Sequence, residues 1–461
     1  MTDHTNPPVA GRAPAETDVL VIGGGPAGSL LATLLARRGI RTVLVEKQTD
    51  LERSFRGETI AAPSVTSLNR LGFGPALRAH GFLETTSVTT VAEGRPVLHV
   101  DYRRFKDQPL PIDIPQPSLI RIFNRAAEDL QGYVYLKGWS FSSLIEEGGG
   151  IRGAVLGRGR EERVPVRARI VIGADGRFSK VRKASGLAAD IQPMARDFLS
   201  FKLPRPPEWG SAAQLVVERD KHLVILPTFP DTLRVGHNLP KRGLGELRAA
   251  GFDAFKQGIM RISPQLAPLV DEHLRSWDDT GFLEIFTAEM EEWARDGLLL
   301  IGDASHTATP ILGQGVNLAM QDSIALVPVL SRALARGGPE RVVTRAELAD
   351  FVAARRAHKT HVTRFQRMQE AALAVGDPRG VRLRRLRFRL LNAFPGKYRV
   401  FNKVINAQHA IDDADLALAR TGGPRAADAA DPSTTGPSTT GPSTTGPSTS
   451  AASTFEVSTH D

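Results

Sequence analysis

Cysteine is missing from all 461 residues. Its absence excludes disulfides, thiolate nucleophiles, iron–sulfur clusters and cysteine zinc sites, and it suits a reducing cytoplasm. Long apolar runs are missing too. None reaches the roughly 20 residues that cross a bilayer, so no transmembrane segment is expected. The opening "MTDHTNPPVAGRAPAET" has no basic stretch followed by an apolar one, and no secretory signal is read there. Acid is in deficit, with 50 Asp+Glu against 59 Lys+Arg and a net charge of +9. That balance suits an anionic partner. No nucleic-acid-binding motif accompanies it, so no nucleic-acid partner is expected. What is abundant is apolar residues, 41% of the chain, enough for one large core or two.

The two ends read differently from the middle. Residues 1–16 are polar and are expected to be flexible. From Asp431 the chain repeats "PSTTG", which has no apolar face to bury, so 421–461 are expected to be a disordered tail. Between them the chain starts as strand, turn, helix, strand. "DVLVI" (18–22) and "TVLVEK" (42–47) are apolar strands, and "SLLATLLARRG" is a helix closed by Gly39. A helix is expected over 118–129, hairpins around Gly148–Gly150, and strands at "QLVVE" and "HLVILP". After Ser323 the pattern is mostly helical.

Three stretches carry chemistry. In "GGGPAG", Gly23, Gly25 and Gly28 hold the G-x-G-x-x-G positions between a strand and a helix. The glycines permit a sharp turn, close approach of a pyrophosphate and tight helix–strand packing, and the anion then meets the helix N-terminus. Glu46 ends the second strand at the place of a ribose-binding acid, which suits an adenosine ribose without a 2′-phosphate. The second stretch, "IVIGADGRFSKVRKASG" (170–186), runs a strand into Asp175-Gly176; by itself it also reads as a plain turn. The third, "LLLIGDASHTATPILGQGVNLAMQDS" (298–323), reads as a strand ending on Asp303, then a Pro/Gly loop and a helix. Open α/β sheets bind ligands at that carboxyl edge. Gly313 and Gly315 would let the backbone approach a flat ligand. His306 reads equally as structural or catalytic.

Together, "GGGPAG", "GADGRFSKVR" and "GDASHTATPILGQGVNLAMQD" resemble the class A flavoprotein monooxygenases, the p-hydroxybenzoate hydroxylase-like family, over roughly 17–345. The resemblance implies an α/β fold: a Rossmann-like FAD-binding domain, a smaller mixed-sheet substrate domain and a helical C-terminal region. The expected boundaries are 17–185 for the first FAD-binding part, with a substrate-domain excursion near 84–112. The substrate domain covers 186–292, the last FAD-binding part 293–345, and the helical region 346–420. FAD contacts are implied at Gly23, Gly25, Ala27, Gly28, Glu46, Lys47, Arg56, Gln116, Asp175, Asp303, Pro310, Gly313, Gly315, Val316 and Asn317. Asp303 would accept a ribityl hydroxyl, Arg56 a phosphate contact, and the Val316 helix would face the flavin pyrimidine edge. The implied activity uses NAD(P)H and O2 to hydroxylate or epoxidise a small molecule, aromatic or polyketide-like, through a flavin C4a-hydroperoxide. A substrate pocket is expected beside the strands around Phe201 and Val216–Pro227. No catalytic residue is assigned. The rival readings are a geranylgeranyl reductase-like flavoenzyme, a halogenase and a non-catalytic flavoprotein.

One basic stretch falls outside these motifs. "PRGVRLRRLRFRLLNAFPGKYRVFNK" (378–403) sets Leu383, Leu386, Leu390 and Phe394 at helical spacing among arginines. The expectation is a helix packed on the FAD-binding domain with a solvated cationic face. Docking to an acidic carrier protein or to anionic lipid stays open.

Overall fold

In the computed structural model, residues 13–50, 58–405 and 417 are described. The continuous apolar run Val19–Ile22 is buried on both faces, which places it inside a parallel sheet. That strand, β1 (Glu16–Ile22), pairs in parallel with β2 (Thr42–Glu46) on one side. Beyond β2 lies β3 (Tyr133–Lys137). On the other side of β1 come β4 (Glu162–Gly173) and then β5 (Leu298–Leu300), all parallel. The order is therefore β3-β2-β1-β4-β5, the doubly wound arrangement, with its direction of winding reversing at β1. The antiparallel strands Ser140–Glu147 and Gly150–Arg158 extend the sheet from β4. β1 begins at Glu16, inside the stretch expected to be flexible.

Helix α1 (Pro26–Ala36) leaves β1 directly, and its apolar side chains are buried throughout. It packs on α2 (Gln314–Leu334) closely enough for Ser323 Oγ to donate to the Ala27 carbonyl at 2.7 Å. The small residues Ala27 and Ala319 permit this approach. A Cβ added to Gly302 would lie 3.3 and 3.6 Å from theirs.

A second sheet has seven strands. Its order is Thr280–Leu283, Arg196–Pro204, Thr232–Pro240, Lys221–Thr228, Ala212–Glu218, Ser87–Ala92 and Arg95–Asp101. Helices Phe252–Ile262 and Ala267–His273 cover one face. Phe201, Val216, Ile225 and Val235 point to that face and share a core with Phe255. Phe201 itself is fully buried against those helices, so its side chain faces away from any pocket on the sheet's other face. Side chains alternate along a strand. The register Lys202↔Arg234↔Leu226 puts these three, with Leu215 and Val224, on the opposite face.

The C-terminal part is helical: α3 (Arg345–Leu373) and α4 (Pro378–Ala393). α4 corrects the expectation for 378–403. It packs on strand Arg95–Asp101 of the second sheet and buries Val381 and Arg384. Leu383, Leu386, Leu390 and Phe394 point outward. The Arg384 side chain, with Phe388 and Leu391, anchors the helix instead. Among the described residues, no helix is long and apolar enough to cross a membrane, and no His/Cys/Asp/Glu group is arranged to hold a metal ion.

Candidate active site

Register brings the distant motifs to one edge. Ile22 pairs with Val45 and Gly173, and Gly173 pairs with Leu300. The strand ends and the residues that follow them therefore sit side by side: Gly23, Glu46, Ala174-Asp175 and Gly302-Asp303. β5 stops at Leu300, so Asp303 lies past it in a 3-10 turn, Gly302–Ala304, and does not end the strand.

The glycine turn is a cradle that side chains would fill. Gly23 has φ +112°, and a Cβ there would overlap the Ala174 carbonyl. One on Gly28 would overlap the Gly23 carbonyl. Gly25 precedes α1 with extended backbone and no side-chain cap, and Pro26 opens the helix. The first-turn amides, those of Ala27 and Gly28 among them, thus lack a helical acceptor. Glu46 is 3% exposed and holds the loop: Oε2 accepts from Gly24 N at 2.9 Å and Oε1 from Gln48 N at 3.0 Å. Lys47 follows it at the surface. Arg56 lies outside the described residues.

Asp175 is occupied by its own turn. Its carboxylate accepts from Ser179 Oγ at 2.5 Å, Lys180 N at 2.7 Å and Val181 N at 3.2 Å, capping the helix Lys180–Ser185. Asp303 acts electrostatically on two cations. Arg177, whose proton affinity is lowered by burial, is favoured in its charged form by Asp303. Lys359 feels the same carboxylate.

The segment from Pro310 to Asn317 joins this edge to α2. Pro310 is exposed. Gly313 adopts φ +61°, which favours glycine, and α2 then starts without a side-chain cap or an acid in its first turn. Among the described residues, a Cβ on Gly315 would meet no atom within 4 Å beyond the helix's own backbone and its chain neighbours. Val316 is buried. Asn317, 1% exposed, ties the segment down: Oδ1 accepts from Ala61 N at 2.9 Å, and Nδ2 donates to Thr59 O at 3.2 Å and Gly313 O at 3.0 Å. Gln116 is buried at the start of helix Gln116–Arg125, just past Asp113.

Two groups of residues escaped the sequence reading. The first is a buried polar stripe on α3. Arg355 Nε reaches Asp322 Oδ1 at 2.7 Å and Lys359 Nζ reaches Asp322 Oδ2 at 2.6 Å, all but fully buried. Asp322 also accepts from Gly302 N at 2.8 Å. Burial would raise the Asp322 pKa, but Lys359 and Arg355 outweigh it and hold the carboxyl below its usual range. Farther along, Thr363 meets His306 Nε2 at 3.2 Å, and Gln366 bonds Thr309 N, Thr309 O and Ile311 O. Burial and Lys359 drive the His306 pKa down to about 3, so the ring stays neutral. Arg355, Lys359, Thr363 and Gln366 follow one helix face, but a polar face at that spacing ordinarily marks the solvent side.

The second group faces the seven-stranded sheet. Asp113 is 2% exposed and accepts from Thr59 Oγ1 at 2.6 Å and Thr85 Oγ1 at 2.5 Å. Burial pushes it up to about 6. Lys202 Nζ lies 3.8 Å from Glu58. Burial lowers the Arg234 pKa, against the pull of Glu58 and Asp113. Thr59 links this cluster to the Gly313–Asn317 segment, since its carbonyl accepts from Asn317. No motif marks these positions.

The arrangement fits FAD by its own geometry. A cradle that a Cβ would fill opens onto an uncapped helix start, and a buried acid closes the second strand. A second uncapped helix start lies along the Gly313–Asn317 backbone. These suit a pyrophosphate, a ribose and a flat anionic ring edge respectively.

Comparison with known proteins agrees. A profile described as the FAD binding domain matches residues 16–217 and 270–365. The 6-methylpretetramide 4-monooxygenase of Streptomyces rimosus is 39% identical, over 80% of this chain and 86% of that protein. Two solved structures share the fold. The p-nitrophenol 4-monooxygenase PnpA of Pseudomonas putida DLL-E4 has a TM-score of 0.71 at 17% identity, covering 88% of this chain and 99% of that one. The anhydrotetracycline hydroxylase OxyS of Streptomyces rimosus has a TM-score of 0.66 at 24% identity, covering 85% and 76%.

Proposed function

This chain belongs to the FAD-binding family of class A flavoprotein monooxygenases, and on that premise we propose that it hydroxylates or epoxidises an aromatic, polyketide-like molecule with NAD(P)H and O2. The observation that carries the reading is the meeting of three distant motifs at one sheet edge, beside a polar row on the second sheet. The Gly23–Gly28 amides and the start of α1 would hold the pyrophosphate, with Ala27 in that first turn. Glu46 would take ribose hydroxyls, with Lys47 beside it. Asp303 would accept from the ribityl chain, and Gly313–Asn317 with the start of α2 would meet the pyrimidine edge. Arg56, Gln116, Asp175 and Pro310 complete the proposed set, Asp175 through the turn it caps.

When bound, FAD supplies two-electron chemistry and oxygen activation, one atom of O2 entering the product and the other leaving as water. The chain's own residues do the positioning. Lys202 and Arg234 project from one face of the sheet and would orient acidic phenol or enol oxygens of the substrate. Asp113, with its raised pKa, can hold or release a proton near neutral pH. Leu215, Val224 and Leu226 give the same face an apolar wall.

The relative acting on 6-methylpretetramide supports a polyketide-like substrate. A cytoplasmic location, where NAD(P)H is available, fits the cysteine-free chain. An anionic partner, carrier protein or membrane surface, is proposed for 378–403. The test is oxygen uptake with NADH or NADPH over a panel of phenolic polyketides, with labelled O2 and mass spectrometry of products. Label incorporated in step with NAD(P)H oxidation supports the reading. Reduced products without label would replace it with a flavin reductase.

A further inference from the structure

Helix α4 is docked with its apolar stripe facing out. Leu383, Leu386, Leu390 and Phe394 are 47%, 53%, 62% and 51% exposed. Their spacing of three and four sets them in one line along the helix. The opposite face does the packing. Val381 and Arg384 are buried there, and Phe388 and Leu391 rest on the cluster of Leu98, Val100 and Phe105. Arg384 fixes the orientation by donating to Arg219 O at 2.7 Å and to Glu93 Oε1 at 2.8 Å. The stripe is therefore outward because the helix is held, not because it is loose.

Its borders are cationic. At about 100° per residue, Arg382 and Arg389 flank the stripe on one side and Arg387 on the other. All three are exposed. No Asp or Glu occurs anywhere in 378–411. Val400, 44% exposed on the next helix, Lys397–Ile405, adds to the outward apolar surface.

We propose that α4 lies in the plane of an anionic lipid surface. Leu383, Leu386, Leu390 and Phe394 enter the acyl boundary, and the flanking arginines meet headgroup phosphates. Charge complementarity selects this occupant. A second copy on the same face would set arginines against arginines across a two-fold axis. A folded protein partner needs about 800 Å² per side and carboxylates placed to match. A bilayer accepts one helix ridge with cations on both borders. The inference does not depend on the oxygenation chemistry.

The experiment is flotation of the full-length, FAD-loaded protein with phosphatidylcholine vesicles, with and without phosphatidylglycerol. Binding is expected to be at least about tenfold tighter to the anionic vesicles. The variant Leu386→Ser/Leu390→Ser keeps every charge and should bind about tenfold more weakly, since two large apolar side chains no longer insert. Flavin absorbance and circular dichroism should match the parent, as both residues are outside the core. Three results overturn the proposal: no flotation of the full chain, equal flotation of the serine variant, or self-association that the serine variant abolishes while vesicles go unbound. Binding of an acidic carrier protein without vesicle binding would likewise replace it.

Discussion

Two polar regions meet at Gly302, and they are built from opposite materials. On one side lies the sheet edge, made of backbone: glycines without side chains, uncapped helix starts and amides that point outward. On the other lies the α3 stripe, made of side chains: Asp322 between Arg355 and Lys359, fully paired and buried. Gly302 belongs to both, since its amide donates to Asp322 and Asp303 follows it. A backbone-built site leaves its donors available to a ligand. A side-chain-built site consumes them internally and serves to hold the first in place. The comparison predicts that damage to the stripe unfolds the protein, whereas damage to the edge releases the cofactor.

The largest effect should come from the stripe. Asp322→Ala leaves Arg355 and Lys359 buried without a counter-charge. The expected cost is about 3–5 kcal/mol of stability, read by urea unfolding. Replacing all three charges by apolar residues of similar volume should cost much less, because no orphan charge remains. If Asp322→Ala unfolds at the parent's urea midpoint, the stripe does not hold the edge and the comparison fails.

Asp113 gives the next effect, and it depends on pH. Its folded pKa, about 6, lies above the ordinary 3.8. The fold therefore prefers the protonated carboxyl. This contribution is complete below about pH 4 and is lost as pH rises through about 6, by up to roughly 3 kcal/mol. Asp113→Asn stays uncharged, so its stability relative to the parent should rise across that window. A constant difference between parent and variant from pH 4 to 7 would show that Asp113 ionises at no cost, and would remove it as a proton holder.

The same contrast explains what could be read from the sequence. Glycine spacing encodes a backbone path, and that path admits few residue types, so "GGGPAG" and "GDASHTATPILGQG" speak directly. The parallel sheet followed from apolar runs between them. Lys359 and Arg355 gave no such signal, because an arginine or lysine on a helix ordinarily marks the solvent side. Only the burial of Asp322 opposite them reverses that meaning, and the pairing spans two helices. Which way Phe201 faces was hidden for a related reason. Alternation fixed that it faced one side of the sheet, but not which side the helices would cover. In α4 the line of Leu383, Leu386, Leu390 and Phe394 read as a packing face, while Val381, Arg384, Phe388 and Leu391 made the contact.

Asp303 sharpens the comparison at the seam. If it accepts a ribityl hydroxyl, Asp303→Ala should weaken FAD binding by about tenfold to a hundredfold, roughly 1–3 kcal/mol. Asp303→Asn keeps an acceptor oxygen and should lose less. Titration of apo-protein with FAD measures both. Should both variants bind like the parent yet melt lower, Asp303 belongs with the stripe, through Arg177 and Lys359, rather than with the cofactor.

The smallest effect on stability is expected at Gly315, and it isolates the cofactor from the fold. Among the described residues, no atom beyond the helix's own backbone and the chain neighbours lies within 4 Å of a Cβ there, and the residue lies in the first turn of α2. Gly315→Ala should therefore leave apo stability unchanged or raise it by up to about 1 kcal/mol, as alanine is the better helix former. A flavin lying along Gly313–Asn317 would need the space that the methyl takes. FAD affinity should then fall about tenfold, the cost of overpacking a fitted contact. Stability and affinity would move in opposite directions, which no purely structural role of Gly315 produces. Unchanged FAD affinity would mean that the flavin does not pass Gly315, and the start of α2 would lose its place in the proposed site.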